Sequence, residues 1–275
     1  MNLHTALLQG VELLENAAIT APRLTAEVLL AHAVRCNRTF LYAHPERELK
    51  EVEWIHYGRY LHERLSGRPT QYITGRQEFY GREFRVNLQV LIPRPETEHL
   101  VEIALKRLTR GSRILDVGCG SGAIAVSTAL ELNTPIMACD ISRAALEVAQ
   151  RNAQNLGAPV TFIACDLLTP FAARSFDAIL SNPPYVPLNT RQDLQREVRD
   201  FEPALALFGG PDGNEVYARL VADAARVLRP GGLLILELGF DSLDAVLGMT
   251  QTGWQDVTVS DDLAGIPRVL TAKLL

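Results

Sequence analysis

In this 275-residue chain, the run whose residue types and order bear most directly on chemistry is Ser181-Asn182-Pro183-Pro184-Tyr185. The Asn182 side-chain oxygen can accept one hydrogen of a planar NH2 group, and the Pro183 carbonyl can accept the other. Neither Pro183 nor Pro184 carries an N–H, so the turn offers acceptors with no competing donor at those positions. Tyr185 follows where its ring can stack on the same flat group. The group such a site suits is an amide or an amino-purine, whose nitrogen lone pair is delocalised; the rotation barrier of about 18–20 kcal/mol in an amide shows how strongly. Accepting both hydrogens fixes the plane and draws density onto nitrogen, as a group transfer to that atom requires. No Asp or Glu is assigned as a general base, because a nitrogen that has just gained a substituent is already very acidic. Proton loss to Asn182, to the backbone or to water stays open. Asn-Pro and Pro-Pro are also ordinary loop dipeptides, so the motif gains meaning from what precedes it.

What precedes it is a nucleotide-type turn. Ile114 to Ala123 reads as a buried strand passing through Gly118-Cys119-Gly120-Ser121-Gly122 into a helix, and glycine is needed where the backbone turns tightly and comes close to a ligand. About twenty residues later Asp140 ends the next strand, where a carboxylate can accept both hydroxyl hydrogens of a ribose. The looser dinucleotide fingerprint is also met, with Ala123 in its last position, so an NAD-dependent dehydrogenase and a non-catalytic cofactor-binding module both remain open. Two features favour S-adenosylmethionine. The Gly118-x-Gly120-x-Gly122 spacing resembles the first motif of the class I methyltransferases, and Asp166 ends the third strand, where that family bonds the adenine amino group. No histidine occurs after His99, which counts against a histidine-dependent hydride transfer, a histidine triad or a metal site in this half.

The elements that must position these residues follow from periodicity. Up to about residue 75 apolar residues recur at helical spacing: Leu3, Leu7, Val11 and Leu14, then Leu24, Val28 and Leu29 after Pro22, then Val52, Ile55, Leu61 and Leu65 in a helix from Glu48. From Gln77 to Ile92 the pattern is strand-like and broken by Gly81, which predicts a hairpin. Beyond Pro95, short apolar runs alternate with helical segments: 113–117, 136–140, 160–165, 176–181, 233–238, 256–260 and 269–273. The fold class expected is α/β, a seven-stranded Rossmann-like sheet of the class I methyltransferase type with an antiparallel edge hairpin, preceded by a small helical domain. The divisions are residues 1–75, a hairpin linker 76–95, and a methyltransferase domain 96–275.

Bulk properties narrow the partners. Met1 to Ala18 lacks a basic start and a cleavage site and reads as an amphipathic helix rather than a signal peptide; a cytoplasmic, membrane-free protein is expected. Cys36, Cys119, Cys139 and Cys165 show no C-x-x-C pairing, so neither zinc nor a disulfide framework is predicted. The net charge of −5 argues against stable nucleic-acid binding, although seven arginines from Arg59 to Arg94 against Glu63, Glu78 and Glu83 form a locally basic stretch.

Adenine N6 and a glutamine side-chain amide both present a planar NH2, and the residues alone do not choose between them. The chain resembles the release-factor glutamine N5-methyltransferases over nearly its whole length. The resemblance rests on Gly67-Arg68-Pro69-Thr70-Gln71-Tyr72-Ile73-Thr74-Gly75, on Val90-Leu91-Ile92-Pro93-Arg94-Pro95-Glu96-Thr97-Glu98, on the glycine loop and on Asn182-Pro183-Pro184-Tyr185. It implies a helical domain that grips a class-1 peptide-chain release factor while the Gly-Gly-Gln loop reaches Asn182. It also implies cofactor contacts at Gly118 through Gly122, Asp140, Asp166, Leu167 and Asn182, with catalytic or substrate contacts at Asn182, Pro183, Pro184 and Tyr185. Leu167 stands where some relatives carry an aromatic residue. Methylation of a ribosomal-protein glutamine and of adenine in DNA or RNA are the competing readings. Arg94 and Glu96 either close the cofactor pocket or form an ion pair. Asp212 and Gly213 read as a turn, Glu237 as a strand residue that needs a partner and can brace the cofactor loop, and Trp54 and Trp254 as packing residues.

Overall fold

The computed structural model describes residues 1–275, which divide into two compact units, Met1–Arg76 with Gln195–Phe201 and Gln77–Leu194 with Glu202–Leu275. No helix is long and apolar enough to cross a membrane.

The first unit holds α1 (Leu3–Asn16), α2 (Pro22–Val34), α3 (Arg38–Ala43), α4 (Glu51–Leu65) and α5 (Thr70–Thr74), joined by the short helix Arg196–Phe201. Asn2 and Asn37 start α1 and α3 by accepting the N–H groups of Thr5 and Phe40, which would otherwise lack partners. Pro22 opens α2, where its missing N–H costs nothing. Leu3, Leu14, Leu29, Leu30 and Tyr57 build the core. α4 departs from its expected stripe: Val52 and Ile55 are exposed, and the buried face is Glu53, Tyr57, Leu61 and Arg64. Ion pairing is the reason. Arg47 donates to both Glu53 oxygens at 3.0 and 2.8 Å, and Arg64 meets Glu197 at 2.6 Å, so two charged side chains are carried inward with partners. Trp54 is likewise 39% exposed, whereas Trp254 is buried.

The second unit contains a small hairpin and the large sheet. β1 (Arg76–Phe79) and β2 (Arg82–Arg85) form the hairpin, with Phe79 set edge-on to Phe84. The strand-like reading ran on to Ile92, but 86–92 is irregular; Val86, Val90 and Ile92 are buried from a coil rather than from a strand. The remaining strands are β3 (Ile114–Val117), β4 (Ile136–Asp140), β5 (Val160–Ala164), β6 (Phe176–Ser181), β7 (Val186–Pro187), β8 (Phe208–Gly210), β9 (Leu228–Glu237), β10 (Trp254–Asp261) and β11 (Pro267–Leu274). Seven of them form one sheet in the order β10-β11-β9-β6-β3-β4-β5. β11 runs antiparallel to both of its neighbours and the other pairings are parallel, so the expected edge hairpin is present.

Successive residues of the central strands serve opposite layers, as the pleat requires. Ile114, Ala178, Leu180 and Ile235 pack with α6 (Glu98–Arg107), α7 (Ala123–Leu132) and the hairpin phenylalanines. Leu115, Val117, Ile179, Leu234 and Leu236 pack with the helices Glu215–Val227 and Leu243–Met249. With both faces covered, the open place for a ligand is beyond the carboxyl ends of the parallel strands, where the glycine loop, Asp140 and Asn182 all emerge.

Candidate active site

The glycine loop leaves β3 with Gly118, Gly120 and Gly122 all in the left-handed region, at φ 71°, 52° and 81°. A side chain at Gly118 or Gly120 would meet nothing within 4 Å, so these two need glycine for conformation; one at Gly122 would come 3.2 Å from Ala149 on α8 (Arg143–Leu156), so there close packing matters too. The Cys139 carbonyl accepts the N–H groups of Gly118 and Cys119 at 2.8 and 3.0 Å and pins the loop to β4. Asp140 then locks it: Oδ2 accepts from Gly120 N at 2.9 Å and Oδ1 from Ser142 N at 2.8 Å. Burial pushes the Asp140 pKa up, and the Ser142 and Gly120 N–H groups hold it back. Each of its oxygens keeps a further lone pair for an outside donor. Beneath the loop, Asp116 is wholly buried and pushed up to about 7 by desolvation; one oxygen accepts from Ala125 N in the first turn of α7, and the other has no partner.

Gly118, Gly120, Asp140, Asp166, Leu167, Asn182 and Pro184 share the lining of one cavity of about 450 Å3. Cys119, Ser121 and Gly122 do not line it; they are buried, Cys119 in the core and Ser121 with its carbonyl bonded to Asn152. Asp166 lies just past the end of β5 and pairs with Arg219 at 2.6 Å, a partner on the helix Glu215–Val227 that sequence reasoning missed. Leu167 is in the left-handed region at φ 47°, and its carbonyl accepts from the Cys139 and Cys165 thiols. With Ile141 and Leu205 it gives the cavity an apolar wall beside the Asp140 carboxylate. An acidic lip with spare lone pairs, a side-chain-free glycine floor and an apolar wall fit a nucleoside.

The other end of the cavity is built from side chains. Ser181 Oγ donates to the Val117 carbonyl at 2.7 Å and ties β6 to β3 just before the turn. Asn182 Nδ2 donates to Thr97 Oγ1 at 3.1 Å. Glu237, at the end of β9, is 1% exposed and pushed up to about 7 by burial, held back by the nearby Thr97 side chain, the Arg268 charge and the Asn182 side chain. It thus stands near Thr97 and Asn182, and no hydrogen bond joins its carboxyl group to the cofactor loop. Pro183 and Tyr185 lie outside the cavity lining. Burial and the nearby Glu237 raise the Tyr185 hydroxyl to about 12, so it stays protonated at neutral pH.

Three glycines brace the turn. A Cβ at Gly239 would meet the Tyr185 ring at 2.7 Å, and one at Gly209 or Gly213 would strike the Pro184 or Tyr185 carbonyl. Asp212 and Gly213 form the turn into the helix Glu215–Val227, as the spacing predicts. Arg94 pairs with the buried Glu202 rather than with Glu96, and Glu202 also accepts from Ile92 N, so the Pro-Arg-Pro-Glu-Thr-Glu run is anchored next to Thr97. Thr97, Gly209 and Gly239 escaped sequence reasoning as site residues, while Gly213 is expected only as a turn and Glu237 as a brace for the cofactor loop; the Gly209-Gly210 doublet and the glycine just past β9 are the signals that point to the two missed glycines.

Comparison with known proteins identifies the family. The PrmC N-terminal domain model matches residues 5–75, and the methyltransferase small domain model matches residues 96–199. The release factor glutamine methyltransferase of Koribacter versatilis is 44% identical over 99% of this chain and 99% of its own. That of Moorella thermoacetica is 43% identical over 99% of this chain and 98% of its own. Among solved structures, a methyltransferase from Pyrococcus furiosus shares the fold at 20% identity, covering 71% of this chain and 89% of that one with a TM-score of 0.54. This chain belongs to the release factor glutamine methyltransferase family.

Proposed function

We propose that this protein methylates the side-chain amide N5 of the glutamine in the Gly-Gly-Gln motif of class-1 peptide-chain release factors, with S-adenosylmethionine as donor and S-adenosylhomocysteine as product. The observation that carries this reading is the orientation of Asn182. Its Nδ2 is bonded to Thr97, and its Oδ1, on a side chain that lines the cavity, has no hydrogen-bond partner within the protein and is left as an acceptor for an incoming group. An acceptor there suits an NH2 donor such as a primary amide.

S-adenosylmethionine, when bound, supplies an electrophilic methyl group on a sulfonium that departs as a neutral thioether. The chain's own residues bind, orient and exclude water. Gly118 and Gly120 leave room at the floor, Asp140 would accept the ribose hydroxyls while holding the loop, and Leu167 would cover the base. Asp166, steadied by Arg219, would serve the adenine end. Asn182 Oδ1 accepts one amide hydrogen and the Pro183 carbonyl the other, while Pro184 and Tyr185 confine the amide plane. With both hydrogens held, the nitrogen lone pair has one direction in which to react, and positioning of this kind is worth about 7–11 kcal/mol at best. Residues 1–75 recognise the release factor, 76–95 link, and 96–275 carry the chemistry; the reaction takes place in the cytoplasm.

The test is methyl transfer from labelled S-adenosylmethionine to three acceptors side by side: an unmodified release factor, the same factor with its Gly-Gly-Gln glutamine changed to alanine, and adenine-containing DNA. Label on the intact factor alone is expected. Label on DNA, or on the alanine form, overturns the assignment of acceptor.

A further inference from the structure

Glu237 does not line the cavity, yet it is almost fully buried and its Oε2 has no hydrogen-bond partner. A buried carboxyl is costly, and an apolar side chain of similar size would fill the same space without that cost. What it contacts gives the reason for its presence. The Thr97 and Asn182 side chains both stand close enough to its carboxyl group to draw its pKa down, and Asn182 Nδ2 donates to Thr97 Oγ1 at 3.1 Å.

The hydrogens can be assigned one by one. The Asn182 amide has two N–H hydrogens and one acceptor oxygen. Thr97 Oγ1 takes one of those hydrogens. The nearby Glu237 carboxylate favours the second amide hydrogen and the Thr97 hydroxyl hydrogen on its side over an amide oxygen, and Oδ1 is left without a partner among these groups. A flipped Asn182 would set its oxygen against a carboxylate and turn its NH2 toward an incoming NH2, two donors face to face.

We propose that Glu237 acts with Thr97 as a positioning residue, holding the Asn182 amide with its NH2 inward and its oxygen toward the nitrogen that is methylated. This rests on the reading of the acceptor as a glutamine amide. Arg94, paired with Glu202, and the N–H bond from Ile92 to the same carboxyl group anchor the segment that carries Thr97, which explains why a run so far along the chain from Asn182 belongs to the same site.

The experiment compares Thr97→Val, Thr97→Ser and Glu237→Gln with the parent, measuring kcat and KM for an unmodified release factor and the dissociation constant for S-adenosylmethionine by calorimetry. Thr97→Val keeps the shape and removes the hydroxyl. Glu237→Gln keeps the shape but can donate as well as accept, and so tolerates either amide orientation. Both are expected to lower kcat about tenfold to hundredfold through a misplaced acceptor, with cofactor affinity unchanged. Thr97→Ser, which restores the hydroxyl, recovers most of the lost rate. Unchanged kcat in Thr97→Val and Glu237→Gln overturns the proposal, as does a kcat loss matched by an equal loss of cofactor binding or by equal damage in Thr97→Ser. A parent that transfers no methyl to the release factor overturns the functional reading itself, before any variant is compared.

Discussion

Two buried acids, Asp116 in β3 just before the glycine loop and Glu237 at the end of β9, invite comparison. Each sits in a central strand, each is raised to about 7 by burial, and each keeps one oxygen without a partner. They differ in what they hold. Asp116 accepts from the backbone N–H of Ala125 and so fixes main chain, the start of α7. Glu237 stands beside the side chains of Thr97 and Asn182, which draw its pKa down, and so bears on a functional group. A cofactor common to many enzymes can be cradled by backbone, whereas one particular NH2 acceptor needs an oriented side chain.

If that division is right, damage at the two ends separates into different kinetic constants. The largest effect is expected for Asn182→Ala, which removes an acceptor aimed at the reacting group; by comparison with the loss of one preorganised oxyanion-hole donor, kcat falls about 10²–10³-fold. The cofactor dissociation constant measured by calorimetry should change little. Equal kcat in mutant and parent would break the comparison at its acceptor end. Next comes Asp140→Ala, which strips the Gly120 and Ser142 N–H groups of their acceptor along with the ribose. Orphaned polar groups cost about 1–3 kcal/mol, or about tenfold to hundredfold in the dissociation constant. An unchanged constant would remove the ribose role.

The same division decides how much could be read in the sequence. Gly118, Gly120 and Gly122 stand two residues apart because one tight turn needs positive φ at each, so backbone geometry writes itself into adjacent positions. The seven strands were legible for a related reason, since sheets covered on both faces leave continuous apolar runs. Glu237 was legible as an acid in need of a partner and as a brace for the cofactor loop, but not as a neighbour of Thr97 and Asn182, because tertiary packing that no local pattern encodes brings them together. Asp166 pairs with Arg219 across the same kind of gap. On α4 the error was one of polarity: Glu53 and Arg64 are turned inward with Arg47 and Glu197, while Val52 and Ile55 face outward. A hydrophobic period assumes that charges seek water, and paired charges break that assumption.

The two acids themselves can be told apart by stability. The pKa of Asp116 is raised from 3.8 to about 7 in the folded chain. The folded state therefore holds the proton more tightly than the unfolded one, and the stability this contributes is present at low pH and is lost as pH rises toward 7. Asp116→Asn can still accept from Ala125 N but does not titrate. Relative to the parent, it should gain roughly 2.5–3 kcal/mol between pH 5 and pH 8 in urea unfolding, at about 1.4 kcal/mol per pKa unit. A constant difference across that range would mean that Asp116 is ionised throughout, and the symmetry with Glu237 would fail.

The smallest effect belongs to Tyr185, and it sharpens the acceptor end. Its ring lies against Gly239 and its hydroxyl is raised to about 12, so at neutral pH it is a protonated side chain whose ring, not its charge, confines the acceptor. Aromatic contacts of this sort are worth about 0.5–1.5 kcal/mol, so Tyr185→Ala should lower kcat/KM up to about tenfold. Tyr185→Phe keeps the ring and should stay close to the parent. If the phenylalanine form proves as impaired as the alanine form, the hydroxyl acts on Glu237 or on the acceptor directly, and the orienting network behind Asn182 extends to a fourth side chain.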